Sequence, residues 1–297
     1  MEIIPYEDRP IVKLRFQHTT TYQYSGPVTF GEHRFVLRPR ESHYEQLEHM
    51  EIETSPNSEL HWFHDIYGNV IANAIFTEPA DQLIIKSDFL IAKKQIPAWV
   101  HDNWQRGEAY PVHYAGIEES ASYLYRQSVY PPEVEKIRNW LFSKNLLPPP
   151  GQSGSIFANL SKAIHQEIAY QRRESPGVQS PLETIDLAKG SCRDTAVLLM
   201  EAGRCIGYAT RFVSGYLESA NSKVGRGSTH AWSEVYLPDQ GWRGFDPSIG
   251  EPAGSGHIAV AVSHHPRGVM PISGKFESNG FVSKGMTVAI QSEQIPI

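Results

Sequence analysis

A change of hydrophobic period divides this chain. From Ile11 to about residue 93, apolar and β-branched residues alternate with polar ones, in IVKLRFQHTTTYQYS, HRFVLRPR, HMEIETS, ELHWFHDIYGNVIANAIFTE and DQLIIKSDFLIAKK. A period of two buries one face of a strand and leaves the other wet. Short runs of this kind, separated by turn signals, are the pattern of an antiparallel sandwich or barrel. Tyr67-Gly68-Asn69 reads as a hairpin turn. The texture changes near Ile96. PPEVEKIRNWLFSKNL (131–146) opens on proline with early acids, as helix N-termini prefer, and Pro148-Pro149-Pro150-Gly151 stops it. SIFANLSKAIHQEIAYQ (155–171) has apolar residues at helical spacing, and 172–190 reads as loop. A further helix begins beside Cys192. Strands are predicted in ATRFVSGYL (209–217), THAWSEVYL (229–237) and GWRGFDPS (241–248), with two or three more in the tail from His257. The expectation is an α+β chain. An N-terminal antiparallel, β-sandwich-like domain spans 1–95, and an α+β domain spans 96–297 and includes the C-terminal strands. The first domain holds no acid/base pair or ligand cluster and reads as a scaffold or binding module.

Composition narrows the function classes. The 297 residues carry a net charge of −6 and no Lys/Arg block, so the electrostatic footprint of a nucleic-acid binder is missing. Charges interrupt the apolar pairs of MEIIPYEDRPIVKLRF, unlike a secretory signal. No window reaches the roughly 18 apolar residues of a membrane span. A soluble cytoplasmic protein is the expectation. Two cysteines argue against a disulfide framework. Cys192 and Cys205 lie in or beside one helix, roughly 20 Å apart along its axis, far beyond disulfide reach. The pairs His61/His64 and His264/His265 lack clustered Cys, Asp or Glu at ligand spacing, so no metal site and no cofactor are expected.

The stretch KGSCRDTAVLLM (189–200) concentrates the chemistry. Gly190 permits close backbone approach, Ser191 is a good N-cap, and the following residues continue a helix that ends near Gly207. Cys192 would sit in its first turn. There the helix dipole favours a thiolate and exposed N–H groups can hold an oxyanion. Cys205 lies at the far end, where the dipole disfavours a thiolate, and reads as a small hydrophobe. A nucleophilic thiol needs a base. His230 opens a strand in which His230, Trp232 and Glu234 share one face, and Asp246 closes the next strand. A carboxylate beside the histidine would orient it and stabilise its imidazolium. A hairpin centred on Pro238 sets His230 opposite Asp246. A tight turn within Pro238–Gly241 shifts the pairing by three residues, about 10 Å of strand, so the pair requires an asymmetric loop or a bulge there.

GSCRD, ATRFVSGY, HAW-E-V-L and GW-FDPS, in that order, resemble the transglutaminase-like superfamily. Upstream, LRFQHTTTYQYSGPV, LRPR and D-YGN-V resemble the β domain that precedes the catalytic domain in bacterial members. The resemblance spans roughly residues 13 to 262, and the tail fits the closing strands more loosely. It implies a papain-like, transglutaminase-like α+β core and a Cys-His-Asp triad at Cys192, His230 and Asp246. Trp232 matches the aromatic two after the histidine and would line the site, and Asp194 matches an acid of structural or helix-start role. Asp246-Pro247-Ser248 departs mildly from the usual Asp-Pro-Thr. The chemistry implied is acyl transfer through a thioester, most readily as a peptidase or amidase on a peptide or protein substrate. Transamidation and a non-catalytic scaffold are the alternatives. Cys192 N–H would supply part of an oxyanion hole. Tyr170, Gln166 and Gln171 are candidates for its second donor.

Overall fold

The computed structural model describes residues 10–94, 108–173, 177–218, 229–238 and 240–296. The alternating N-terminal region forms β1 (Ile11–Phe35), β2 (Glu45–Ser55), β3 (Ser58–His64), β4 (Val70–Phe76) and β5 (Ala80–Lys94). Their order in the sheet is β2-β5-β1-β4-β3. The first half of β1 pairs with β5 and its last residues pair with β4, so this one 25-residue strand carries the sheet round into a curled, two-layered shape. Its alternate residues Leu14, Phe16, Tyr24, Val28 and Phe30 are buried, as the period of two requires. The predicted turn joins β3 to β4, and Asp65 Oδ1 accepts from the Tyr67 and Asn69 N–H groups at 2.9 Å each.

The second region runs β6 (Glu108–Tyr110), α1 (Ile117–Arg126), α2 (Val134–Ser143), β7 (Gln152–Gly154), α3 (Ile156–Glu167), β8 (Ala169–Tyr170), α4 (Pro181–Leu187), β9 (Lys189–Gly190) and α5 (Cys192–Cys205). Four longer strands follow with one short one: β10 (Thr210–Leu217), β11 (His230–Leu237), β12 (Gly241–Asp246), β13 (Glu251–Pro252) and β14 (His257–Ser263). They form a second antiparallel sheet ordered β13-β12-β11-β10-β14. Helix α5 is buried almost all round: it packs on β10 and β11 and is flanked by α2, α3 and α4. The stretch read as loop before Cys192 contains α4, which opens with Ser180 at its N-cap and Pro181 in its first turn. It is too short for a helical period to show in the sequence.

One expectation is corrected. Of the tail, only β14 joins the second sheet. Beyond β14, β15 (Ile272–Glu277) and β16 (Ser283–Ile295) return to the N-terminal sheet, where β16 pairs with β1 from Lys13 to Tyr24 and β15 pairs with its other half. The long β1 had a free edge, and an unpaired edge of that length is what another strand satisfies. The two regions also share a core. Leu14, Phe16, Phe89 and Ile91 cluster with Cys192, Ala196, Val197, Met200, Phe212 and Tyr216.

Candidate active site

Cys192 is the first residue of α5, with Ser191 as N-cap in extended backbone. In the first turn the Asp194 and Thr195 N–H groups bond the Ser191 carbonyl at 3.0 and 3.1 Å. The Cys192 N–H lies ahead of these bonds, at the positive end of the helix where an anion is favoured. Asp194 holds this end of the helix. It is fully buried, its Oδ2 accepts from the Ser191 N–H and hydroxyl at 2.8 Å each, and its Oδ1 accepts from Arg173 and from the Gln179 N–H at 2.7 Å each. Four hydrogen bonds leave Asp194 no free lone pair for a substrate, so it ties Arg173 and Gln179 to the helix start. Gly190 lies against Asp194: a Cβ there would come within 2.9 Å of the Asp194 Cβ. Tyr170 is half-buried and sits directly across from Gly190 in a parallel bridge, while the Gln171 N–H donates to the Gly190 carbonyl. Gln166 is exposed on α3.

His230 opens β11 and Asp246 closes β12. The two strands pair in regular register from Ser233↔Phe245 to Leu237↔Gly241. That register is centred one residue beyond Pro238, so His230 and Asp246 are not directly opposite. They are two residues out of step on the same face, a diagonal within reach of long side chains. No bulge is needed, which corrects the sequence expectation. The His230 Nε2 lies 2.6 Å from Asp246 Oδ2, and both side chains are completely buried.

The tautomer follows from the partners. An anionic Asp246 places the proton of neutral His230 on Nε2, and Nδ1 is buried with no hydrogen-bond partner among the described residues. Burial opposes the charged imidazolium. The Asp246 carboxylate, and after it the Cys192 sulfur, outweigh burial and push His230 up to about 10. Burial likewise opposes the Asp246 anion, but His230 and then His257 hold this carboxyl well below the usual carboxylate range.

His257 is the member that sequence reading did not single out. It opens β14, on the far side of β11 and β10 from Asp246. The chain leaves β13 at one edge of the sheet and enters β14 at the other, so residues 253–256 cross it. Gly244 and Gly215 permit the close approach: a Cβ on the first would stand 2.6 Å from the Ala253 Cβ, and one on the second 2.1 Å from the Ile258 carbonyl oxygen. The crossing delivers His257 Nε2 to within 3.0 Å of Asp246 Oδ2. Ser248 N–H and hydroxyl complete the carboxylate at Oδ1, at 2.9 and 2.6 Å. Only its place at the start of the alternating run HIAVAVS marked His257 in the sequence.

Trp232 is 2 % exposed, as buried as His230 at 1 %. Its ring lies 6.1 Å from that of His230 and meets the His257 ring edge-on at 5.0 Å, under the crossing segment. Among the described residues, His230, Asp246 and His257 form the one His/Asp group with ligand atoms near one another. Their separations are those of hydrogen bonds to a shared oxygen, and the second His257 nitrogen already accepts from the Gly254 N–H at 3.0 Å. His264 Nδ1 bonds the Tyr67 hydroxyl.

A cysteine opening a buried helix, packed on an antiparallel sheet that carries a His–Asp pair, defines the class of thiol-dependent enzymes in general terms. Residues 14–92 match the bacterial transglutaminase-like N-terminal region, and residues 150–247 match the transglutaminase-like superfamily model. The chain thus carries a transglutaminase-like core behind a bacterial transglutaminase-like N-terminal region. It is 26% identical to an uncharacterized protein of Mycobacterium tuberculosis over 96% of this chain and 93% of that protein. It is 22% identical to one of Mycobacterium leprae over 94% and 98%. Its fold is similar to the crystal structure of a "putative cysteine protease" from Cytophaga hutchinsonii, with a TM-score of 0.73 and 18% identity over 97% of this chain and 93% of that one. No helix among the described residues is long and apolar enough to cross a membrane.

Proposed function

We propose that this protein is an acyl-transfer hydrolase that cleaves peptide or carboxamide bonds through Cys192, His230 and Asp246. The observation that carries the reading is the division of labour on one imidazole. Nε2 is held by Asp246 at 2.6 Å, while Nδ1 makes no hydrogen bond of ordinary length among the described residues and the Cys192 sulfur acts on the same ring. In this mechanism His230 Nδ1 takes the thiol proton. The Cys192 sulfur attacks the carbonyl carbon, and the oxygen gains negative charge against the Cys192 N–H. The C–N bond breaks, the amine leaves with the proton from Nδ1, and a thioester remains. Water then adds, giving its proton to Nδ1, and the C–S bond breaks to release the acid and restore the thiol. Asp246 stays ionised throughout and stabilises the imidazolium. The name of the Cytophaga hutchinsonii protein agrees with hydrolysis. An amine in place of water would make the same site a transamidase.

The test is iodoacetamide alkylation from pH 4 to 9, mapped separately at Cys192 and Cys205, in the wild type and His230→Ala. It is joined to a panel of peptide and carboxamide substrates with hydroxylamine present. The expected result is selective labelling of Cys192 that persists at acid pH only when His230 is present, and hydroxamate formed from the trapped thioester. A Cys192 that labels no faster than an ordinary thiol, with or without His230, would overturn the reading and favour a scaffold.

A further inference from the structure

We infer that His257, held by Lys93 of the N-terminal sheet, is a positioning residue for the His230–Asp246 pair, so that the N-terminal domain is a structural part of the active site. The inference rests on the Cys192–His230–Asp246 reading and extends it to two residues outside the triad.

The hydrogen bonds form a continuous chain. Glu45 Oε1 pairs with Lys93 Nζ at 2.6 Å, and Lys93 Nζ donates to the His257 carbonyl at 2.9 Å. Lys93 is 8 % exposed, and a lysine so buried persists when its charge is matched and its protons are used. Glu45 supplies the charge and the His257 carbonyl takes a second proton. The backbone of His257 is thereby anchored to β5. Its ring is anchored separately, because Nδ1 accepts from the Gly254 N–H. An accepting Nδ1 places the ring proton on Nε2, where it faces Asp246 Oδ2. The edge of that ring rests on Trp232.

The consequence is geometric. Asp246 Oδ2 accepts from two imidazoles, and Oδ1 from Ser248 twice. With both ends of the carboxylate held, it cannot rotate away from His230, and His230 Nδ1 keeps its direction. Without His257, Oδ2 keeps only the His230 bond, and carboxylate and imidazole can move together. The charged and titratable groups around His257 are Asp246, His230, Lys93 and Glu45, with Glu251 opposite Asp246 on β13.

The experiment uses the full chain and compares wild type with His257→Ala, His257→Gln and Lys93→Met. The Cys192 alkylation rate is measured against pH, and imidazole ¹⁵N–¹H spectra report the His230 Nε2 proton. His257→Ala should lower the rate on the acid side by about tenfold, as expected for one lost hydrogen bond to a charged group, and should broaden the His230 Nε2 proton. His257→Gln presents an amide N–H near the same place and should recover most of the rate. Lys93→Met keeps the aliphatic stem and should move the profile the same way by about threefold. If His257→Ala does not fold, the other two variants carry the decision. Folded variants with wild-type profiles and an unchanged Nε2 proton would overturn the inference. A wild-type profile indifferent to His230→Ala would instead overturn the triad reading, and the ¹⁵N spectra would still decide whether His257 holds Asp246 and His230.

Discussion

The two cysteines of this chain sit at opposite ends of the same helix, and burial does not tell them apart. Cys192 is 6 % exposed and Cys205 9 %. What separates them is the company each keeps. Cys192 stands at the N-terminal end of the helix, beside a histidine whose other nitrogen is tied to a carboxylate. Cys205 stands at the carbonyl end, where Arg138 Nε donates to its carbonyl at 3.3 Å, and its thiol donates to the Val134 carbonyl at 3.5 Å. Burial, with the Glu201 charge behind it, pushes Cys205 up to about 11. A helix end alone biases a thiol by a modest amount. The larger difference comes from strands of a separate sheet, which bring a base to one end and nothing comparable to the other.

Substitutions test this contrast in descending order of effect. Cys192→Ala should abolish turnover and leave no fast-labelling thiol, whereas Cys205→Ala should keep both. The loss at Cys192 should exceed about a thousandfold, read by substrate turnover. A Cys205→Ala protein without activity would break the contrast. Asp246→Asn preserves shape but replaces an anion that accepts four hydrogen bonds. It should reduce turnover by about a hundredfold or more and move alkylation of Cys192, not Cys205, to higher pH. Asp194→Ala removes a buried carboxylate that holds the helix start, and should cost about 3 kcal/mol of stability in denaturant unfolding. Cys205→Ala should cost about 1 kcal/mol.

Stability against pH sharpens the same comparison. His230 is raised from 6.5 in the folded state, so its contribution is complete below about pH 6.5 and is lost as pH rises toward about 10. Asp246 is lowered from 3.8, so its contribution is present above about pH 4 and is lost as pH falls through the depressed folded value. Unfolding midpoints should therefore be highest between these limits. Asp246→Asn should flatten the alkaline decline, and Cys205→Ala should leave it unchanged.

Much of this site was legible locally. Ser191 and the apolar run after it placed Cys192 in the first helical turn. The even spacing of His230 and Trp232 put them on one strand face, and the sequence motifs set His230 and Asp246 on adjacent strands. These features depend on a few neighbouring residues, which is the range over which backbone periodicity and capping act. Tertiary structure decided what crosses that range. Pairing of β11 with β12 set a two-residue diagonal, because register depends on loop geometry and on every pair along the ladder. The crossing from β13 to β14 brought His257 to Asp246, and the open edge of β1 drew β16 back across the chain. Lys93 and His257 are 164 residues apart, and no local pattern in either segment specifies the bond between them. Sequence by itself determined which side chains could do chemistry and which way their elements present them. Only the packing of two sheets decided which ones meet, because contact between distant segments is chosen by the whole core at once.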